Sequence, residues 1–117
     1  MGSKEKAMEI ASVCEERKAL DVVVLDVTRI TLISDYFLIC HGTSGTHLDA
    51  IRDHIVQHLK AKGDRSFRVE GSRDEGWILI DAGDVLVHVF TADDRRYYDL
   101  ERLWGDAEVL SLVDASG

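Results

Sequence analysis

Apolar residues recur at two spacings along the chain, and the alternation between them lays out the elements. Between Lys4 and Leu20, Ala7, Ile10, Ala11 and Cys14 fall at helical intervals while Glu5, Glu9, Glu15 and Glu16 lie largely outside that stripe, which predicts an amphipathic helix. Asp21 to Val27 is a β-branched run, the pattern of a strand covered on both faces and hence central. After a break over 28–35, Tyr36 to Cys40 predicts a second buried strand, ending at the short loop His41-Gly42-Thr43-Ser44-Gly45. Thr46 with Asp49 three residues on predicts a capping box, and Leu48, Ile51, Ile55 and Leu59 form the stripe of a second helix reaching Gly63.

Ser66 to Glu70 reads as a short strand, Gly71 to Gly76 as a polar turn, and Trp77–Asp81 with Asp84–Phe90 as a hairpin joined at Ala82-Gly83. With that two-residue loop, 81 opposes 84 and 77 opposes 88, so Ile78, Ile80, Val85, Val87 and Val89 share one aliphatic face that belongs to the core. The other face carries Trp77, Leu79, Asp81, Asp84, Leu86, His88 and Phe90, a mixture expected either to be half covered or to form a docking surface. Thr91 with Asp94 starts a last helix, with Tyr97, Leu100, Leu103 and Trp104 on one side, Tyr98 off that stripe and Gly105 as its stop. The expected fold class is α/β, a mixed sheet of about five strands flanked by helices. Residues 1–106 form a single domain, and 107–117 are expected to be a flexible C-terminal tail.

Composition narrows the function. A chain of 117 residues with 45% hydrophobic and 31% charged residues can build its core without disulfide or metal staples. Fourteen Lys+Arg against 22 Asp+Glu leave a net charge of −8, which disfavours direct contact with a phosphate backbone. Cys14 and Cys40 sit in apolar contexts without Cys-x-x-Cys spacing and read as reduced, buried thiols. No apolar run approaches a membrane span and the start lacks a signal-peptide layout, so the expected location is the cytoplasm.

Catalysis finds little support in the residues. A strand ending in Gly42-Thr43-Ser44 before a helix is how nucleotidyltransferases present a phosphate to a helix N-terminus, but the Asp-x-Asp that would hold two metal ions occurs nowhere in the chain. His47, His54 and His58 lie within about 40° of one another on the second helix at about 100° per residue, and His54 with His58 has the spacing that can chelate zinc. The sequence places no carboxylate or Cys obviously as a further ligand, and a solvated helix flank is the plainer reading. Ser34, Ser44 and the two cysteines have no signature pairing them with a base, and Gly-x-Ser-x-Gly is absent. What stands out are Trp77, Tyr98 and Trp104 among the acids Asp81, Asp84, Asp99 and Glu101, a common interface composition.

From Ala19 to Asp106 the chain resembles the ribosomal silencing factors, the Iojap-related family. The resemblance rests on Ala19 to Val27, on Ser34-Asp35-Tyr36-Phe37-Leu38-Ile39-Cys40-His41-Gly42-Thr43-Ser44, on Arg68-Val69-Glu70-Gly71, on Trp77 to Phe90, and on Tyr97-Tyr98-Asp99-Leu100-Glu101-Arg102-Leu103-Trp104-Gly105-Asp106. It implies a nucleotidyltransferase-like fold without catalytic carboxylates and a protein that is not an enzyme and needs no cofactor or metal. It further implies binding to the large ribosomal subunit through that subunit's protein fourteen, which sterically blocks joining of the small subunit and represses translation under nutrient limitation. Carried over by position, Trp77 and Tyr98 become apolar anchors, while Asp81, Asp84 and Glu101 meet Lys or Arg of the partner and Asp99 lies in the same segment. Arg68, Glu70 and His88 are second-rank contacts. The resemblance also allows a homodimer when the protein is free. Readings from other classes stay open at this point: a divergent nucleotide binder on the same fold, or an acidic adaptor for another basic protein.

Overall fold

The computed structural model describes residues 2–110. Helices α1 (Ser3–Glu16) and α2 (Gly45–Ala61) pack on one face of a six-stranded mixed sheet, and the short helices α3 (Ala92–Tyr98) and α4 (Leu100–Leu103) lie on the other. The strands are β1 (Leu20–Asp26), β2 (Tyr36–Gly42), β3 (Arg68–Ser72), β4 (Trp77–Asp81), β5 (Val85–Thr91) and β6 (Glu108–Leu110), in the order β3-β4-β5-β2-β1-β6. Among the described residues only β2 and β5 pair in parallel, and every other neighbouring pair is antiparallel. The mixed α/β class is as expected, with one strand more. The sixth comes from the segment expected to be a flexible tail: Glu108, Val109 and Leu110 pair with Asp26, Leu25 and Val24, while residues 111–117 of that tail lie outside the described residues. Strand β1, expected to be central, lies next to this added edge strand, and β5 and β2 hold the middle of the sheet.

The helix-covered face follows the apolar pattern closely. Ala7, Ile10, Ala11 and Cys14 of α1 and Leu48, Ile51, Ile55 and Leu59 of α2 are buried against Ile78, Ile80, Val85, Val87 and Val89. Both cysteines are free and buried there. The hairpin register differs from the simple two-residue loop. Trp77 opposes Phe90 and Asp81 opposes Leu86, two residues beyond the expected pairing, because Ala82 and Val85 close the turn with an N–H to carbonyl bond of 2.9 Å around Gly83 and Asp84. A shift of two keeps every side chain on its face, so the aliphatic assignment survives the slip.

Helix α2 starts two residues earlier than a Thr46–Asp49 box requires: Ser44 is its cap, accepting the His47 N–H at 3.1 Å. Thr91 caps α3 as expected by accepting the Asp94 N–H at 3.2 Å. The last helix is not continuous. Asp99 adopts a left-handed conformation (φ 48°), ending α3 and turning the chain into α4. That break overturns the expected stripe: Tyr97 and Leu103 are exposed, whereas Leu100 and Trp104 pack inward with Phe37, Leu25 and Phe90.

Candidate functional site

The sheet face under α3 and α4 is where the predicted docking residues can be placed. Register sets Arg68, Glu70 and Ser72 of β3 beside Asp81, Leu79 and Trp77 of β4, and these beside Leu86, His88 and Phe90 of β5. The two short helices are too small to cover it. Phe90 and His88 are buried, yet Trp77, Leu79 and Leu86 stay partly accessible and Tyr98 is 44% exposed.

Aromatic rings organise the open end. Trp77 packs against Phe90 at 4.9 Å and Tyr98 at 4.6 Å between ring centroids, and Phe37 meets Trp104 edge-on at 5.1 Å. The Trp77 indole N–H donates to His88 Nδ1 at 3.3 Å, so the proton of the neutral histidine sits on Nε2, which is buried without a partner. Burial lowers the His88 pKa to about 4, which keeps the ring neutral and able to accept from Trp77. His88 is therefore a support beneath Trp77; at 6% exposure it is poorly placed as a contact. Beside the rings opens a cleft of about 230 Å³ lined by Glu70, Gly71, Glu75, Trp77, Leu79 and Tyr98.

The predicted acids are dispersed. Asp81 lies on the open face, where it accepts the Gly83 N–H at 2.9 Å and sits 4.0 Å from Arg68. Asp84 is drawn toward α1 by Lys6 at 3.0 Å, which also bonds Asp64 at 3.0 Å and the Ala82 carbonyl at 2.6 Å. Burial opposes the Lys6 charge, but the hydrogen bonds to Asp84 and Asp64 outweigh it and raise its pKa. Glu101 is occupied as well: both of its oxygens accept from the buried Arg95 guanidinium at 3.0 and 3.1 Å. Arg95 also donates to His41 Nδ1 at 2.9 Å and to the Leu20 carbonyl at 3.3 Å, tying the corner at Asp99 to β1 and β2. Burial, then the Arg95 charge, lowers the His41 pKa. The structure thus gathers Trp77, Tyr98, Glu70 and His88, places Asp81 with Arg68 farther along the same face, and assigns Asp84 and Glu101 to the fold.

Sequence reasoning missed Glu75, Gly71 and the Arg95 anchor. Glu75 stands two residues before Trp77, in a single 3-10 turn (Arg73–Glu75), and no periodicity announces that turn. Arg95 and Glu101 are six apart, a separation no continuous helix brings together, so only the break at Asp99 lets them meet.

The glycine loop and the histidine row are committed to packing. Gly42 has the Leu48 and His47 side chains against it, leaving no space for a Cβ. The Thr43 N–H donates to His47 Nδ1 at 2.9 Å, while His47 Nε2 donates to the Arg17 carbonyl at 2.7 Å. His54 and His58 face Glu16 and Glu9 of α1 at 3.3 and 3.2 Å. Among the described residues no three His, Cys, Asp or Glu side chains converge to hold a metal ion, and no helix is long and apolar enough to cross a membrane.

Comparison with known proteins gives the family and the fold. A family profile described as ribosomal silencing factor during starvation matches residues 1–116. A ribosomal silencing factor of Bacillus subtilis is 42% identical over 112 residues, covering 96% of this chain and 95% of that protein. A mouse protein named mitochondrial assembly of ribosomal large subunit protein 1 is 32% identical over 107 residues, covering 89% of this chain and 47% of its own length. A crystal structure of a Chromobacterium violaceum protein superposes with a TM-score of 0.83 at 32% identity, covering 90% of this chain and 88% of that one.

Proposed function

Because this chain belongs to the ribosomal silencing factor family, whose members are ribosome-associated regulators, we propose that it silences translation by docking on the large ribosomal subunit where the small subunit joins. The partner is the large subunit's protein fourteen, and the docking surface is the half-covered face around Trp77 and Tyr98. The observation that carries this reading is that open aromatic face, rimmed by carboxylates, on a chain of net charge −8. A basic ribosomal protein complements such a face, whereas bare RNA is repelled by the rest of the molecule. Silencing then needs no chemistry and no cofactor: factor and small subunit compete for one surface, and the outcome follows their concentrations and affinities. Its place of action is the cytoplasm, under nutrient limitation. In the free protein the same face is the one through which two copies would pair.

The test is a sucrose gradient of purified large and small subunits at magnesium levels that drive joining, with and without excess protein. Co-sedimentation with the large subunit and loss of the joined peak is the expected result. A surviving joined peak with the protein at the top of the gradient would contradict it.

A further inference from the structure

Resting on that docking reading and going one step deeper, the geometry points to the cleft between β3, β4 and α3 as a socket for a single arginine side chain of the partner. The cleft measures about 230 Å³ and has two kinds of wall. One is aromatic: Trp77 and Tyr98, 4.6 Å apart. The Trp77 N–H is turned inward onto His88, so this ring offers the cleft only its π-system and apolar surface. The other wall is acidic. Glu70 and Glu75 are exposed and enter none of the ion pairs among the described residues, and the arginines two positions from them in sequence pair elsewhere, Arg68 with Asp81 at 4.0 Å and Arg73 with Asp49 at 3.5 Å.

Two uncompensated carboxylates beside two rings call for a cation that is flat on one side and forked on the other. A guanidinium can stack on a ring and reach a carboxylate with paired N–H donors at once, and it sheds water more readily than an ammonium. Gly71 shapes the opening. Its φ of +81° suits glycine, and a Cβ there would collide with the Trp77 carbonyl oxygen and lie 3.5 Å from a Glu75 carboxylate oxygen. A larger residue would therefore push β3 off β4 and narrow the cleft beside Glu75.

The test is a nuclear magnetic resonance titration of the full chain with arginine amide, lysine amide and citrulline amide, whose side chain is arginine's uncharged isostere, following the Trp77 indole N–H, the Tyr98 ring and the Gly71 amide. Arginine amide is expected to give saturable shifts confined to those groups with a dissociation constant in the millimolar range. Lysine amide should bind at least about fivefold more weakly, and citrulline amide should give no saturable shift. The Glu70→Gln/Glu75→Gln double variant, folded by its spectral dispersion, should bind arginine amide about tenfold more weakly. No saturable shift with arginine amide, equal responses to lysine or citrulline amide, or an unchanged double variant would each overturn the socket. Co-sedimentation of the same protein with purified large subunits separates the two claims. Sedimentation without an arginine response overturns the socket alone, and an arginine response without sedimentation overturns the docking reading and leaves the socket standing.

Discussion

The two faces of the sheet are built from alternate residues of the same strands, yet they differ in almost every physical respect. Under α1 and α2, Ile78, Ile80, Val85, Val87 and Val89 meet two long helices and are fully buried. One position away, Trp77, Leu79, Leu86 and His88 lie on the face that carries only helices of seven and four residues, and bring rings, a buried imidazole and nearby acids. The first face has the homogeneous close packing that holds a fold together. The second is incompletely covered and chemically mixed, as a surface must be if another molecule is to complete it. Stability and recognition are thereby separated by the pleat of a strand, and a substitution can strike one with little effect on the other.

Neighbouring residues of β4 give the sharpest contrast. Ile80→Ala should cost about 2–5 kcal/mol in denaturant unfolding, through lost transfer energy and the cavity left between β4 and α2. Leu79→Ala, on the partly open face, should cost under about 1 kcal/mol while weakening co-sedimentation with large subunits. Equal stability losses at the two positions would mean that the second face is as sealed as the first.

Acid should find the open face through His88. Its pKa falls from an ordinary 6.5 to about 4 on folding, so the unfolded chain takes up the proton first and stability falls as pH drops between those values. At about 1.4 kcal/mol per pH unit this amounts to about 3 kcal/mol, and His41, lowered in the same direction, adds to it. Unfolding free energies measured from pH 7 to 4 should show this slope, and His88→Gln should flatten it. A slope unchanged in that variant would place the acid sensitivity elsewhere.

A smaller effect is expected at the corner between the short helices. Glu101→Gln leaves the buried Arg95 guanidinium without its carboxylate and should cost about 1–3 kcal/mol in thermal or denaturant unfolding. A variant that unfolds like the wild type but loses large-subunit binding would return Glu101 to the role of a direct contact.

The fold was legible where period and burial coincide. The α1 and α2 stripes and the aliphatic hairpin face needed nothing beyond spacing, and the hairpin face survived a register error of two because the strand period is two. Legibility failed where a single backbone angle or a nonlocal pairing decided the outcome. Asp99 breaks what reads as one helix, so that Leu100 and Trp104 pack inward while Tyr97 and Leu103, expected on the same side, stay in solvent. Strand β6 is three residues long and exists only through pairing with β1, too short for alternation to register. In the site, Trp77 could be read from its strand face, whereas Tyr98, on α3 and off the helical stripe, stood out only by its acidic neighbours. The acids could not, because charge alone does not reveal whether a carboxylate faces a partner or an internal cation: Asp84 meets Lys6 and Glu101 meets Arg95, while Glu70 and Glu75 line the cleft.

Hydrogen exchange of the full chain, alone and bound to purified large subunits, tests the division between the faces most directly. The expected result is new protection along β3, the turn before Trp77 and the α3–α4 segment, with exchange on the outer surfaces of α1 and α2 unchanged. Protection gained on α1 and α2 with none around Trp77 and Tyr98 would contradict the assignment of the open face as the docking surface.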